Sequence, residues 1–201
     1  MHKISKYIST LLHPILLPTL ATLIFFLISP RIYPIKQIYV ILTIVFLGSY
    51  IVPLLLLFLF KNLKIISHFE IPDLKERKIP VFSFIILSLL LGNILYSLPQ
   101  FKLLSLLFFG SFIASTIVYF LLYLNFKTSL HLTGFSGFST YIIILSLFYK
   151  LNLIYLIATL FLLIGMLATA RLVLKAHKPS EVLVGFILGV SSLSLIAYLF
   201  I

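Results

Sequence analysis

Three charged stretches carry the side chains able to do chemistry in this chain. They are Lys75-Glu76-Arg77-Lys78-Ile79-Pro80, then Lys127-Thr128-Ser129-Leu130-His131, then Arg171 to Glu181, which contains Lys175, His177, Lys178 and Pro179. His131 and His177 have no cysteine or acid at ligand spacing that would make a metal site. Two histidines among fixed cations suit phosphoryl transfer instead. One imidazole attacks phosphorus while the other handles the proton of the leaving group. Arginine offers planar donor pairs to phosphate oxygens, and a carboxylate beside the attacking imidazole fixes its tautomer. Such a site calls for no metal and no cofactor.

The elements that must position these residues follow from composition. The chain has 201 residues, 62% hydrophobic and 9% charged, with a mean hydropathy of +1.26, far more apolar than one soluble core can hide. Lipid is the solvent that suits it. A helix crossing about 30 Å of hydrocarbon needs roughly 20 apolar residues. Apolar runs bounded by charge, Pro or Asn predict seven spans near 11–29, 38–60, 80–98, 103–124, 132–149, 153–170 and 180–200. The expectation is therefore an all-α, polytopic transmembrane helix bundle of about seven spans, a single domain over 1–201. Lys3 and Lys6 before an apolar run resemble a signal sequence, but Pro14, Pro18 and the lack of a small-residue cleavage site mark an uncleaved first span.

Alternation of spans puts the N-terminus and the loops 61–79, 125–131 and 171–179 on one face. The acids Glu70, Asp73, Glu76 and Glu181 all lie there, and of 15 Lys and Arg only Arg31, Lys36, Lys102 and Lys150 fall on the other face. By the positive-inside rule the crowded face is cytoplasmic, in a multi-pass protein of the cell membrane. The net charge of +11 is spread one to three residues per loop with no basic stripe. It fits anionic head groups and not nucleic acid.

At the charged stretches the chain resembles the type 2 phosphatidic acid phosphatase superfamily. The third motif of that family runs Ser-Arg, five residues, His, three residues, Asp; here Ala170-Arg171, His177 and Glu181 stand at that spacing. The second motif, Pro-Ser-Gly-His, is echoed by Thr128-Ser129-Leu130-His131, about 40 residues upstream of Arg171. The first, Lys, six residues, Arg-Pro, survives as Arg77 with Pro80 beyond it, and Glu70 stands where the lysine belongs. Its lysine role falls to Lys75, Lys78 or Lys127. The resemblance covers roughly 70–190. It implies His177 as nucleophile, Glu181 as its orienting partner, His131 as general acid and then base, and Arg171, Arg77, Lys127 and Ser129 as phosphate contacts. The implied activity is metal-independent hydrolysis of a lipid phosphate through a phosphohistidine. Implied substrates are a polyprenyl diphosphate, a phosphatidylglycerol phosphate or a similar lipid. The alternative is a non-catalytic lipid-binding or structural membrane protein that kept the fold.

The remaining polar residues read as structure. His2, His13 and His68 are taken as interface residues. Glu181 after Pro179 also suits the first turn of any helix. Gly185 and Gly189 form a small-xxx-small pair for helix packing, as do Gly134 and Gly137, while Thr133, Ser136, Ser139 and Thr140 are expected to face the bundle interior.

Overall fold

The computed structural model describes residues 2–69, 71 and 73–200. Nine α-helices account for most of them: α1 His2–Leu11, α2 Leu17–Ile28, α3 Ile35–Phe46, α4 Val52–Asn62, α5 Leu74–Tyr96, α6 Lys102–Tyr123, α7 Leu130–Phe148, α8 Ile154–Val173 and α9 Pro179–Phe200. Joined across their breaks, they make seven segments long and apolar enough to cross a membrane. Exposed Leu55, Phe58, Phe120, Leu162 and Leu199 give the bundle an outer surface suited to hydrocarbon.

Two of these segments contain breaks with identifiable causes. Pro53 lacks an N–H, and its ring would strike the carbonyl four residues back in a straight helix. The chain takes a π turn at Leu47–Ile51, where Val52 N–H bonds to the Leu47 carbonyl, before α4 resumes. Between α1 and α2, Pro14 opens a single 3₁₀ turn, Pro14–Leu16. His13 is its N-cap, accepting Ile15 N–H on Nδ1 at 3.3 Å.

Two spans depart from the sequence reading, and the first, expected near 11–29, takes in α1 and runs His2–Ile28. The third begins at Leu74 and not near Pro80, because Asp73 caps it by accepting Lys75 N–H at 2.9 Å. Lys75, Glu76, Arg77 and Lys78 are therefore helical, and Pro80 sits inside α5. Glu76 is also more than part of a solvated connection: its carboxylate accepts both the N–H and the hydroxyl of Ser67, at 2.9 and 3.0 Å, and pins the preceding loop. Glu70 lies outside the described residues.

α7 is the centre of the bundle, packing against α2, α6, α8 and α9. Its Thr133, Ser136, Ser139 and Thr140 are all buried. Most of their hydroxyls bond back to α7's own carbonyls, while Ser136 also donates to the Phe186 carbonyl of α9 at 3.0 Å. The closeness of α7 and α9 comes from Gly185 and Gly189. A methyl at Gly185 would meet the Ser129 carbonyl oxygen at 2.7 Å, and one at Gly189 would collide with Ser136 and the Thr133 carbonyl. This contact seats the second charged stretch against the third. At the opposite end, Phe25, Phe26, Tyr33 and Phe101 close the bundle with an aromatic cluster in which Tyr33 and Phe101 stack at 5.5 Å.

Candidate functional site

α8 ends in a reversal that brings its arginine and the following histidine to the same place. Lys175 takes a left-handed φ of 52°, Ala176 N–H reaches back to the Arg171 carbonyl and Lys175 N–H to that of Leu172, the pairing of a Schellman cap without its usual glycine. Pro179 then starts α9. His177 Nδ1 lies 2.8 Å from Glu181 Oε2, and the same carboxylate oxygen accepts Lys178 N–H at 3.2 Å. A carboxylate only accepts, so Nδ1 carries the proton and the Nε2 lone pair of His177 is left to act as a nucleophile.

Burial sets the charge state of this ring. The His177 side chain is 2% exposed, and loss of hydration lowers its pKa to about 4, against the opposing bond from Glu181. Arg171 and Arg77 push in the same direction as burial. At neutral pH His177 is uncharged and nucleophilic.

The other residues gather around it. Ser129, N-cap of α7, donates its main-chain N–H to the Glu181 carbonyl at 3.2 Å, which places His131, in the first turn of α7, beside the start of α9. His131 lies within electrostatic reach of Arg171, His177 and His13. Arg77 is buried, its Nε donating to the Ile71 carbonyl at 2.7 Å, and it shares the field of Arg171 and Glu181. Arg171 donates through Nη1 to Ser9 Oγ at 2.8 Å. The Ser129 hydroxyl is buried and makes no hydrogen bond with the described residues.

Of the three lysines open for the first motif, Lys78 rests its ammonium 3.8 Å from the Tyr123 ring centre, and Lys75 is exposed. Lys127 feels Arg77, Glu181 and Arg171 together. Partial burial, and after it the neighbouring arginines, lower its pKa. With His177, Glu181, Lys175, Lys178, Leu172, Ala176 and Pro179 it lines an open cleft of about 590 Å³. Three lysines make the lining cationic, and the His177–Glu181 pair forms part of it.

His13, taken from the sequence as an interface residue, is exposed, and its ring also meets that of His131 edge to face at 4.9 Å. Ser9 was not singled out at all. The signals available were the His13-Pro14 dipeptide, which marks an N-cap, and the i, i+4 pair of Ser5 and Ser9 on a helix whose other residues, Thr10 apart, are apolar, aromatic or basic.

Comparison with protein-family models, with curated proteins and with solved structures finds no match for this chain.

Proposed function

We propose that this membrane bundle is a metal-independent lipid phosphatase acting on a phosphate monoester or diphosphate at the membrane surface. The observation that carries the reading is the His177–Glu181 pair at 2.8 Å, facing a cleft bordered by Lys127 with Arg171, Arg77 and His131 in the same field. Arg171, Arg77 and Lys127 hold the phosphoryl oxygens and offset the charge that grows on them. His177 Nε2 attacks phosphorus, the bond from phosphorus to the lipid oxygen breaks, and His131 gives its proton to the departing oxygen. Water then attacks the phosphohistidine while His131 takes a proton from it, releasing phosphate and restoring both rings.

The geometry supports this division of labour in one respect that distance alone does not supply. Glu181 fixes the tautomer of His177, whereas among the described residues no carboxylate pairs with His131. The resemblance to the type 2 phosphatidic acid phosphatases points the same way and suggests a polyprenyl diphosphate or phosphatidylglycerol phosphate as substrate. The excess of Lys and Arg on the site face supports a cytoplasmic orientation of the site, by the positive-inside rule.

A second reading, phosphate-lipid binding without turnover, draws on Leu130 and Ala170, which replace motif residues able to donate or to leave room for phosphate. Release of phosphate from a panel of lipid phosphates by the purified protein separates the two. Turnover supports the first, and binding without release the second.

A further inference from the structure

The N-terminal helix is built the wrong way round for a helix that merely starts a span. Its Ser5 and Ser9 are buried, one turn apart on one face, while Ile4, Tyr7 and Leu11 are 64%, 76% and 76% exposed on the other. α1 packs on α8, whereas α2, beyond the Pro14 turn, packs on α3 and α7. The side bearing Ser5 and Ser9, with Ile8 partly buried, thus faces Arg171 in the last turn of α8, and Ile4, Tyr7 and Leu11 face outward, where lipid can hold them.

Two contacts follow from that inversion. Ser9 Oγ accepts from Arg171 Nη1 at 2.8 Å, a bond between residues 162 positions apart in the chain. His13 sets its ring against that of His131 at 4.9 Å and an interplanar angle of 84°, and the Ser9 main chain bonds to the same His131. His13 is itself held in place, since its Nδ1 accepts Ile15 N–H. A methyl at Gly134, one turn beyond His131, would come within 2.8 Å of Pro14 Cβ, so the turn after His13 is seated directly on α7.

We infer that Ser9 and His13 are positioning residues of the phosphate site, Ser9 aiming the Arg171 guanidinium and His13 holding the His131 ring. The inference rests on the reading of that site as one that binds a phosphoryl group. An arginine and an imidazole on different helices must keep their relative placement to within a fraction of an ångström to act on one phosphorus, and an error of about 1 Å costs on the order of 10²-fold in rate. The Ser9–His13 segment touches both. The catalytic unit therefore begins at Ser9, not at the first charged stretch.

The test uses the full chain in lipid nanodiscs, with orthovanadate affinity, kcat, KM and thermal stability measured for four proteins: wild type, Ser9→Ala, Ser9→Thr and His13→Asn. Ser9→Ala is expected to weaken orthovanadate binding and raise KM by about tenfold, with Ser9→Thr, which keeps the hydroxyl, close to wild type. Asparagine retains an N-cap acceptor but not the ring. His13→Asn is therefore expected to lower kcat by about 10- to 100-fold with KM and thermal stability little changed. Equal orthovanadate affinity in wild type and Ser9→Ala, or an equal loss in Ser9→Ala and Ser9→Thr, overturns the role of Ser9. Unchanged kcat in His13→Asn overturns that of His13. If wild type binds orthovanadate but releases no phosphate from any lipid, the enzymatic reading fails, and the Ser9 pair still decides the inference through affinity. If wild type binds no orthovanadate, there is no phosphate site and the inference falls with it.

Discussion

Ser129 and Glu181 are joined through their main chains, the N–H of one donating to the carbonyl of the other at 3.2 Å. That bond ties the N-terminus of α7 to the first turn of α9, so the helix carrying His131 and the helix carrying the partner of His177 share one fixed point. Because Glu181 also accepts from His177, a change in its side chain acts on the chemistry while the main-chain tie persists. Glu181→Gln is expected to leave the protein folded and to lower turnover by on the order of 10⁴, the cost of an amide that permits the wrong tautomer in a hydrolase triad. Glu181→Asp, which alters reach and not charge, should cost less. Turnover in the two variants checks the order.

Phosphoryl transfer to a histidine clamped by arginines needs no divalent ion. Activity is expected to survive a chelator and to be lost with orthovanadate, whose trigonal-bipyramidal adduct resembles the transferring group. Strict dependence of phosphate release on an added metal ion would point to a different mechanism.

The lowered pKa of His177 has consequences for both rate and stability. An unperturbed histidine near 6.5 would lose nucleophilicity through pH 6, whereas His177, near 4, keeps a neutral ring well below it. The acid side of the kcat profile should therefore not break at 6.5 on account of this group. Between 6.5 and 4 the unfolded chain binds a proton that the folded one refuses. Its stabilising contribution is thus complete above 6.5 and lost as pH falls toward 4. Thermal unfolding in detergent from pH 7 to 4 should show that loss, and His177→Gln should reduce it.

At Gly189 the backbone of α9 lies hard against α7. Gly189→Ala puts a methyl into Ser136 Oγ and the Thr133 carbonyl, backbone that cannot swing aside. The helices must part, at a cost of about 1–3 kcal/mol. The Ser129–Glu181 tie and the placement of His131 should suffer together. Gly165→Ala serves as the control, since a methyl there meets no neighbour within 4 Å. A lowered thermal midpoint for the first variant and an unchanged one for the second is the expected pair.

By itself the sequence determined the architecture, because apolar length and the cost of burying charge in hydrocarbon leave a chain of this composition few choices. It also marked Arg171, His177 and Glu181 as one unit, since their spacing spans a helix end and the first turn of the next helix. The start of α5 was misread through Pro80: a proline in the second turn of a helix is tolerated when an N-cap such as Asp73 has already paid for nucleation. Only the tertiary structure set Lys127 in the field of Arg77, Arg171 and Glu181 and turned Lys78 to Tyr123 of another helix. Only it brought His13 to His131 and Ser9 to Arg171. Those pairs are set by how α1 lies across α8 after the Pro14 turn, and the direction of a helix beyond a break is decided by packing partners far along the chain, which no local spacing records.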